Sequence, residues 1–145
     1  MPGETSHPDI YEPLSHTGDL GMVAYGRDLP ELFAHAAWAM FDLISDATTI
    51  QPQHRVTLDV SAIDVEDLLV RWLSDLLYLY DTQRLLCCNF TFATLEPTHL
   101  TATVAGEPLD PDRHPIDTVI KAVTYHQLAV EQVAGRWQAR VIFDL

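Results

Sequence analysis

Two stretches near the C-terminus decide the fold of this chain: Thr118–Val133, TVIKAVTYHQLAVEQV, and Arg136–Leu145, RWQARVIFDL. Each is typical of a β-strand, and Ala134-Gly135 separates them. Glycine readily adopts the positive φ that a tight two-residue turn requires. The sequence therefore predicts a β-hairpin at the centre of one sheet, and we expect this hairpin to carry half of a polar site.

The register of the hairpin follows by counting outward from Val133 opposite Arg136. One face is then mostly apolar and the other mostly polar, and a slip of one residue would bury charged side chains. The apolar pairs are His126 with Phe143, Leu128 with Val141, Val130 with Ala139, and Gln132 with Trp137. The polar pairs are Tyr125 with Asp144, Gln127 with Ile142, Ala129 with Arg140, and Glu131 with Gln138.

Lys121 is the only lysine in a chain that has 21 acidic residues. In this register it falls on the polar face, roughly 13 Å along the strand from the position opposite Asp144. We therefore expect the two side chains to share a surface without forming a direct salt bridge. A partner's phosphate or carboxylate would suit this lysine, and an ordinary surface position explains it equally well.

The bulk composition favours one acidic globular domain. The 145 residues are 48% hydrophobic, which excludes global disorder, and the net charge is −13. Nucleic-acid-binding surfaces need clustered Lys and Arg, so we expect no direct nucleic-acid binding. A basic protein partner or a divalent cation would complement this negative charge, and the need for solubility alone would also explain it. Cys87 and Cys88 are adjacent, which disfavours an ordinary disulfide.

The N-terminal residues 1–9 are polar and include two prolines, so we predict a flexible tail followed by a single domain over residues 10–145. The start of the chain has neither the basic nor the apolar region of a signal peptide. No apolar run approaches the roughly 20 residues of a membrane helix. A cytoplasmic protein with no membrane partner is the expectation.

The remaining pattern predicts an α+β fold with the order β-β-α-β-α-β-β-β-β. Apolar residues at helical spacing predict two amphipathic helices, which Asp28 and Asp64 can cap. We expect both helices on one face of a mixed, mostly antiparallel sheet, as a two-layer sandwich. The predicted helices are Leu29–Ser45 and Asp64–Asp81. The other predicted strands are Tyr11–Thr17, Leu20–Tyr25, Arg55–Ala62, Leu86–Leu95 and His99–Gly106, and Glu107–Pro115 is a proline-rich loop.

No catalytic motif emerges from the chain. It has no G-x-S-x-G elbow, P-loop, G-x-G-x-x-G or H-E-x-x-H segment. The seven histidines form no i, i+4 pair on a helix, so a zinc site is not indicated. His126 lies on the predicted apolar face, where a core histidine is more common than a metal ligand.

The carboxyl end carries the strongest candidate for a metal site. Asp144 lies beside the α-carboxylate of Leu145, and such neighbours repel unless a cation joins them. Asp19 follows Gly18 at a strand break and completes an all-oxygen set if the first hairpin borders the last. Hard oxygen ligands select Ca²⁺ or Mg²⁺. A solvated acidic edge is the alternative.

Several segments together resemble the archease family over nearly the whole chain. They are Ser15-His16-Thr17-Gly18-Asp19 followed by Leu20–Gly26, Phe41-Asp42-Leu43, Glu66–Val70, Leu76–Thr82, Gly106-Glu107-Pro108 with Asp110-Pro111 and Arg113-His114, Lys121–His126, and Val141–Leu145. Each motif alone is weak, but the combination is specific. Gly18 departs from the alanine of many relatives and is expected to loosen the turn.

The resemblance implies a non-catalytic accessory protein that activates an RtcB-type RNA ligase in tRNA splicing or RNA repair. Such proteins promote guanylylation of the ligase and its multiple turnover. The family's divalent-metal site would fall on Asp19, Asp144 and Leu145, with Ca²⁺ expected first and Mg²⁺ or Mn²⁺ as alternatives. Lys121 matches a functionally important family lysine. A metal-dependent hydrolase and a general protein chaperone remain the alternative functions.

Overall fold

The computed structural model describes residues 7–16 and 19–145. Within these ranges, two helices and eight strands follow each other, with a short 3₁₀ helix, Ala47–Thr49, between α1 and β3. The helices are α1 (Leu29–Ile44) and α2 (Val65–Gln83). The strands are β1 (Tyr11–His16), β2 (Asp19–Gly26), β3 (His54–Ser61), β4 (Leu85–Glu96), β5 (His99–Pro108), β6 (Ala122–Val123), β7 (Ala129–Val133) and β8 (Arg136–Asp144).

Local sequence signals set both helix starts as predicted. The side chain of Asp28 accepts a hydrogen bond from the Glu31 N–H at 2.9 Å, and that of Asp64 accepts one from the Asp67 N–H at 2.8 Å. These caps satisfy amide groups that the first turn of a helix leaves without partners. Helix α2 ends at Gln83, and the following cap residue, Arg84, has a left-handed φ of 55° and donates its N–H to the Tyr80 carbonyl.

The α+β class and the predicted order of the main elements are confirmed, but the single mixed sheet is wrong. The described strands form two sheets, and every pairing in them is antiparallel. One sheet has the order β1-β2-β8-β6, with β7 also paired to β8, and the other has the order β3-β5-β4. Helix α1 contacts strands of both sheets, and so does α2. The helices therefore join the two sheets through one core.

That core is built from the apolar faces predicted for the helices. The indole N–H of Trp72 donates to the Phe33 carbonyl at 3.0 Å, so the polar group of the largest buried side chain has a hydrogen-bond partner. Phe90 and Phe92 of β4 pack edge-on or tilted against the same indole, at 6.0 and 5.1 Å between ring centroids. The resulting aromatic cluster fixes α2 on the three-stranded sheet.

The predicted C-terminal hairpin is confirmed only near its turn. Pairs from Val133 with Arg136 to Ala129 with Arg140 agree with the expected register. Gly135 has φ +83°, as a tight turn requires, and β8 is the central strand of its sheet. Beyond β7, however, the long strand predicted over Thr118–Val133 is interrupted, and only β6 resumes the pairing.

The predicted N-terminal tail lies mostly outside the described residues, as does Gly18 with the looser turn expected there. Residues 8–10 form a turn. The imidazole of His7 packs edge-on against Trp38, at 4.8 Å between ring centroids. Neither helix in the described part of the chain is long and apolar enough to cross a bilayer. A tail over residues 1–9 and a cytoplasmic location both stay predictions.

Candidate functional site

The ends of three strands meet where the chain finishes. Asp19, the first residue of β2, lies directly opposite Asp144, the last residue of β8. On the other side of β8, Ala122 of β6 also lies opposite Asp144. Directly opposed residues in an antiparallel pair place their Cβ atoms about 4.5–5.5 Å apart on one face of the sheet. The expected proximity of Asp19 and Asp144 therefore follows from the observed register.

Lys121 lies at the same edge, much nearer to Asp144 than predicted. Its backbone N–H donates to the Asp144 carbonyl at 2.8 Å, so the separation of roughly 13 Å expected for a continuous strand is wrong. Lys121 precedes the two-residue β6 rather than lying in mid-strand. We call the group of Asp19, Lys121, Asp144 and the α-carboxylate of Leu145 the carboxyl-end site.

A bulge in the hairpin produces this change. Between the Ala129–Arg140 and Val123–Phe143 pairs, one strand has five residues (124–128) and the other has two (141 and 142), so three residues are extra. Both the N–H and the hydroxyl of Thr124 donate to the Ile142 carbonyl, at 3.1 and 2.8 Å. Gln127 adopts a left-handed φ of 53°. The bulge re-aims the chain so that Lys121 returns to the end of β8.

The bulge also overturns the expectation for His126. The imidazole was predicted to face the core opposite Phe143, but the residue is exposed in the bulge and Val123 takes that pairing position. Among the histidines whose burial the structure describes, His114 is buried instead, at 1% exposure. Cys87 and Cys88 are free thiols, as expected, and burial raises the pKa of Cys87 to about 12.

The carboxylates of the carboxyl-end site have no neutralising partner among the described residues. Both Asp19 and Asp144 are exposed, and no hydrogen bond or ion pair satisfies either side chain there. The Lys121 ammonium likewise forms no ion pair within 4.0 Å in the described ranges. Like charges directly opposite each other on neighbouring strands destabilise the pair. The site therefore has a surplus of negative charge that a cation would reduce.

The donor set fits a hard divalent cation rather than a metal that prefers nitrogen or sulfur ligands. The register brings together the carboxylate oxygens of Asp19 and Asp144, and Ca²⁺ and Mg²⁺ prefer oxygen ligands. No group of three or more His, Cys, Asp or Glu side chains with metal-binding geometry occurs in residues 7–16 and 19–145. A cation at this edge would depend on the terminal carboxylate, on water or on a partner for its further ligands.

A second polar network, which the sequence did not reveal, lies between the bulge and the start of α2. The hydroxyl of Tyr125 donates to the Asp67 carboxylate at 2.6 Å, and Arg71 donates to it at 2.9 Å. The Tyr125 hydrogen bond, helped by the Ile63 N–H and by Arg71, lowers the pKa of Asp67 below its usual range. Asp67 itself is only 6% exposed. The network ties the bulge to the helix.

A third polar cluster is buried in the loop after β5. The Glu107 carboxylate, 4% exposed, accepts hydrogen bonds from the Gln51 N–H at 2.6 Å and from the Arg113 guanidinium at 2.6 and 3.1 Å. These bonds, led by that from Arg113, hold the pKa of Glu107 below its usual range. The Nδ1 atom of His114 accepts from the Asp110 N–H at 2.9 Å, and its Nε2 lies 3.3 Å from Glu107.

This loop leads directly to the carboxyl-end site. The Ser45 hydroxyl donates to the Pro115 carbonyl at 2.7 Å, and the Asp117 N–H donates to the Ile44 carbonyl at 2.8 Å. Ile120 is then buried beside Lys121. The proline-rich segment was correctly predicted as a loop from residue 109 onward, although β5 continues through Glu107 and Pro108. Its fixed path positions the backbone of Lys121.

Comparison with known proteins agrees with this architecture. The chain matches the model of the Archease protein family (MTH1598/TM1083) over residues 11–145. It is 38% identical to Protein archease of Methanosarcina mazei over 139 residues, which cover 93% of this chain and 95% of that protein. It is 36% identical to Protein archease of Sulfolobus acidocaldarius over 136 residues, which cover 93% and 98%.

Two solved structures share the fold. The solution structure of Methanobacterium thermoautotrophicum protein 1598 superposes with a TM-score of 0.79 at 33% identity and covers 93% of this chain and 98% of that one. A crystal structure from Thermotoga maritima, described as an archease and possible chaperone, gives a TM-score of 0.61. Its identity is 20%, and it covers 97% and 100% of the two chains, so it supports the fold alone.

Proposed function

Because this chain belongs to the archease family, we propose that it is a protein cofactor of an RtcB-type RNA ligase. In this role it promotes guanylylation of the ligase and its multiple turnover, in tRNA splicing or RNA repair, and is not itself a catalyst. The observation that carries the proposal is the convergence of Asp19, Lys121 and Asp144 at one exposed sheet edge. These are the positions at which the family resemblance predicts function.

Asp19, Asp144 and the Leu145 α-carboxylate would hold a divalent cation, Ca²⁺ in the first place and Mg²⁺ or Mn²⁺ as alternatives. When bound, the cation supplies positive charge that can meet phosphate oxygens of the ligase's nucleotide. The strand register supports this assignment, because it places two exposed carboxylates side by side, neither of which is paired with a described residue. The residues' own task is to hold that charge at a fixed position on the surface.

Lys121 would contribute a fixed ammonium beside the carboxylates. Its backbone is anchored by the hydrogen bond to Asp144, while its side chain is exposed and makes no ion pair with the described residues. Transfer of a nucleotidyl or phosphoryl group depends mainly on positioning and on neutralising the charge of phosphate oxygens. We propose that Lys121 meets an anionic group of the ligase or of its nucleotide.

The decisive experiment measures transfer of radiolabelled GMP onto the ligase with and without this protein. Wild type is expected to accelerate guanylylation, and Asp144→Asn and Lys121→Gln are each expected to reduce the stimulation at least about tenfold, the effect of losing one charge-assisted contact. Asp112→Asn, which removes an exposed acid of the 107–115 loop, is the matched control. Stimulation by Asp144→Asn equal to that of wild type would contradict the role of the carboxyl-end site.

The same preparations separate the alternative functions. A metal-dependent hydrolase would turn over nucleotide or RNA substrates without the ligase, and a general chaperone would suppress aggregation of unrelated proteins. Direct RNA binding would weaken steeply with salt, and the net charge of −13 disfavours it. Ligase-dependent stimulation without these three activities is the expected pattern.

A further inference from the structure

A groove of about 490 Å³ lies between the two sheets, beside the carboxyl-end site. One wall is the end of β3, the base is the exposed side of α2, and Val123 of β6 with Tyr125 forms the other wall. We call it the inter-sheet groove. The residues that line it are Asp59, Val60, Ser61, Val70, Arg71, Ser74, Asp75, Val123 and Tyr125.

The wall formed by β3 is an open strand edge. Among the described residues β3 pairs only with β5, and the N–H of Ala62 donates to the Thr98 carbonyl at 2.9 Å. Hydrogen bonding alternates along an antiparallel pair, so Val60 directs its backbone groups toward β5. By the same alternation, Asp59 and Ser61 direct theirs to the opposite side. The groove is therefore bordered by unpaired backbone donors and acceptors, a template for an added strand.

The side chains along the groove indicate what kind of strand it accepts. Asp59 and Asp75 contribute two exposed carboxylates, while Arg71 is bonded to the Asp67 carboxylate at 2.9 Å. Asp59 has a close partner in the His99 imidazole, at 3.0 Å. A positively charged occupant complements this surface. A second copy of the chain does not, because each copy carries a net charge of −13.

Large exposed apolar side chains mark the surroundings of the groove. Ile63 follows β3 and is 82% exposed, Tyr78 lies one helical turn beyond Ser74 and is 68% exposed, and Tyr125 is 57% exposed. Tyrosine is enriched in protein interfaces because it buries a large rigid surface while keeping a polar group. These residues would cover apolar side chains that alternate with the charges of a bound strand.

From these observations we propose that the inter-sheet groove binds an extended, positively charged segment of a protein partner as an added strand on the open edge of β3. The groove reaches Val123, whose neighbour Ala122 lies opposite Asp144 of the carboxyl-end site, so the partner would be held beside that site. The proposal goes beyond ligase activation, because it assigns a second surface and a mode of binding that any basic partner segment could use.

The test uses the full chain and a fluorescent peptide that alternates lysine and valine. Binding is expected to shift the backbone amide resonances of Asp59, Ser61 and Val123. The Asp59→Asn/Asp75→Asn variant should weaken affinity about fivefold, as expected for the loss of two exposed ion pairs. Asp81→Asn/Asp112→Asn removes the same charge elsewhere on the surface and should leave affinity unchanged.

Two further measurements make the proposal falsifiable. The same peptide with N-methylated backbone amides keeps its charge but cannot pair with β3, so it should lose binding. Equal binding of both peptides, or amide shifts spread over the whole acidic surface, would overturn strand addition in favour of unspecific attraction. Self-association through the groove, detected by sedimentation without peptide, would overturn it in favour of a second copy. Guanylylation is measured separately, so failure of the proposed function leaves this result interpretable.

Discussion

Two groups of carboxylates in this molecule look alike in the sequence and differ completely in the fold. Glu107 is buried, accepts hydrogen bonds from a backbone amide and a guanidinium, and lies 3.3 Å from a buried imidazole. Asp19 and Asp144 are exposed, lie directly opposite each other and have no such partners among the described residues. A satisfied buried carboxylate stabilises a loop, whereas an unsatisfied exposed pair can bind a cation at the cost of local repulsion.

The largest effect on stability is expected from Glu107→Ala. The substitution removes the acceptor of the Gln51 N–H and of the Arg113 guanidinium, and it takes away the carboxylate beside the buried His114 imidazole. We expect the free energy of unfolding to fall by about 2–4 kcal/mol. The loss is not larger, because the Arg113 guanidinium can form hydrogen bonds with water once the carboxylate is gone. Urea denaturation measures the change. Asp112→Ala in the same loop is the control, with an expected loss below about 0.5 kcal/mol, and an equal loss in both variants would contradict the structural role of Glu107.

Asp144→Asn should have the opposite consequence to Glu107→Ala, because it should weaken metal binding and not stability. In metal-free buffer the urea midpoint should stay the same or rise slightly, because the carboxylate has no partner to lose among the described residues and the substitution relieves its repulsion with Asp19. Affinity for Ca²⁺ should fall at least about tenfold, since ligand charge count sets affinity at oxygen sites. Isothermal titration calorimetry measures the affinity, with Asp112→Asn as the control. Identical calorimetric titrations for wild type and Asp144→Asn would reduce the carboxyl-end site to a solvated acidic edge.

The structural features that could be predicted from the sequence depend on local signals. The sequence predicts the caps Asp28 and Asp64 because capping needs only neighbouring residues, and the tight turn at Gly135 sets the first five pairs of the hairpin. Asp19 was placed beside Asp144 on the condition that the two hairpins border each other. The register β2–β8 fulfils that condition.

The rest depended on contacts between residues far apart in the chain. The bulge at residues 124–128 is stabilised by Thr124 hydrogen bonds to Ile142 and by the Tyr125–Asp67 hydrogen bond. The hydrophobic periodicity of the sequence does not predict these contacts. Division of the strands into two sheets depends on helix packing. The buried role of His114 depends on Glu107 and on the loop path, so the only available signal was the Arg113-His114 pair of the family motif.

Acidification should remove the stabilisation that the buried carboxylates of Glu107 and Asp67 contribute. The pKa of Glu107 is lowered in the fold, first by the Arg113 hydrogen bond, and the pKa of Asp67 is lowered first by Tyr125. A group with a lowered folded pKa stabilises fully above its unfolded pKa, near 4.5 for Glu107, and loses that contribution as pH falls through the folded value. Urea midpoints of wild type should therefore decrease below about pH 4.5, and those of Glu107→Gln should decrease less.

The smallest effect is expected from Asp19→Asn without metal, and its sign is the informative part. Removing one of two opposed like charges should raise the free energy of unfolding by about 0.2–1 kcal/mol, the range for cross-strand pairs. With Ca²⁺ at about 100 times its dissociation constant, wild type should gain about 2.7 kcal/mol that the variant lacks, so the order of stability should reverse. Thermal denaturation with EDTA and with Ca²⁺ tests this reversal. A variant that is less stable than wild type in EDTA would show that Asp19 has a structural partner, and the contrast with Glu107 would fail. A reversal would show instead that the repulsion at the end of β8 is retained because a cation relieves it.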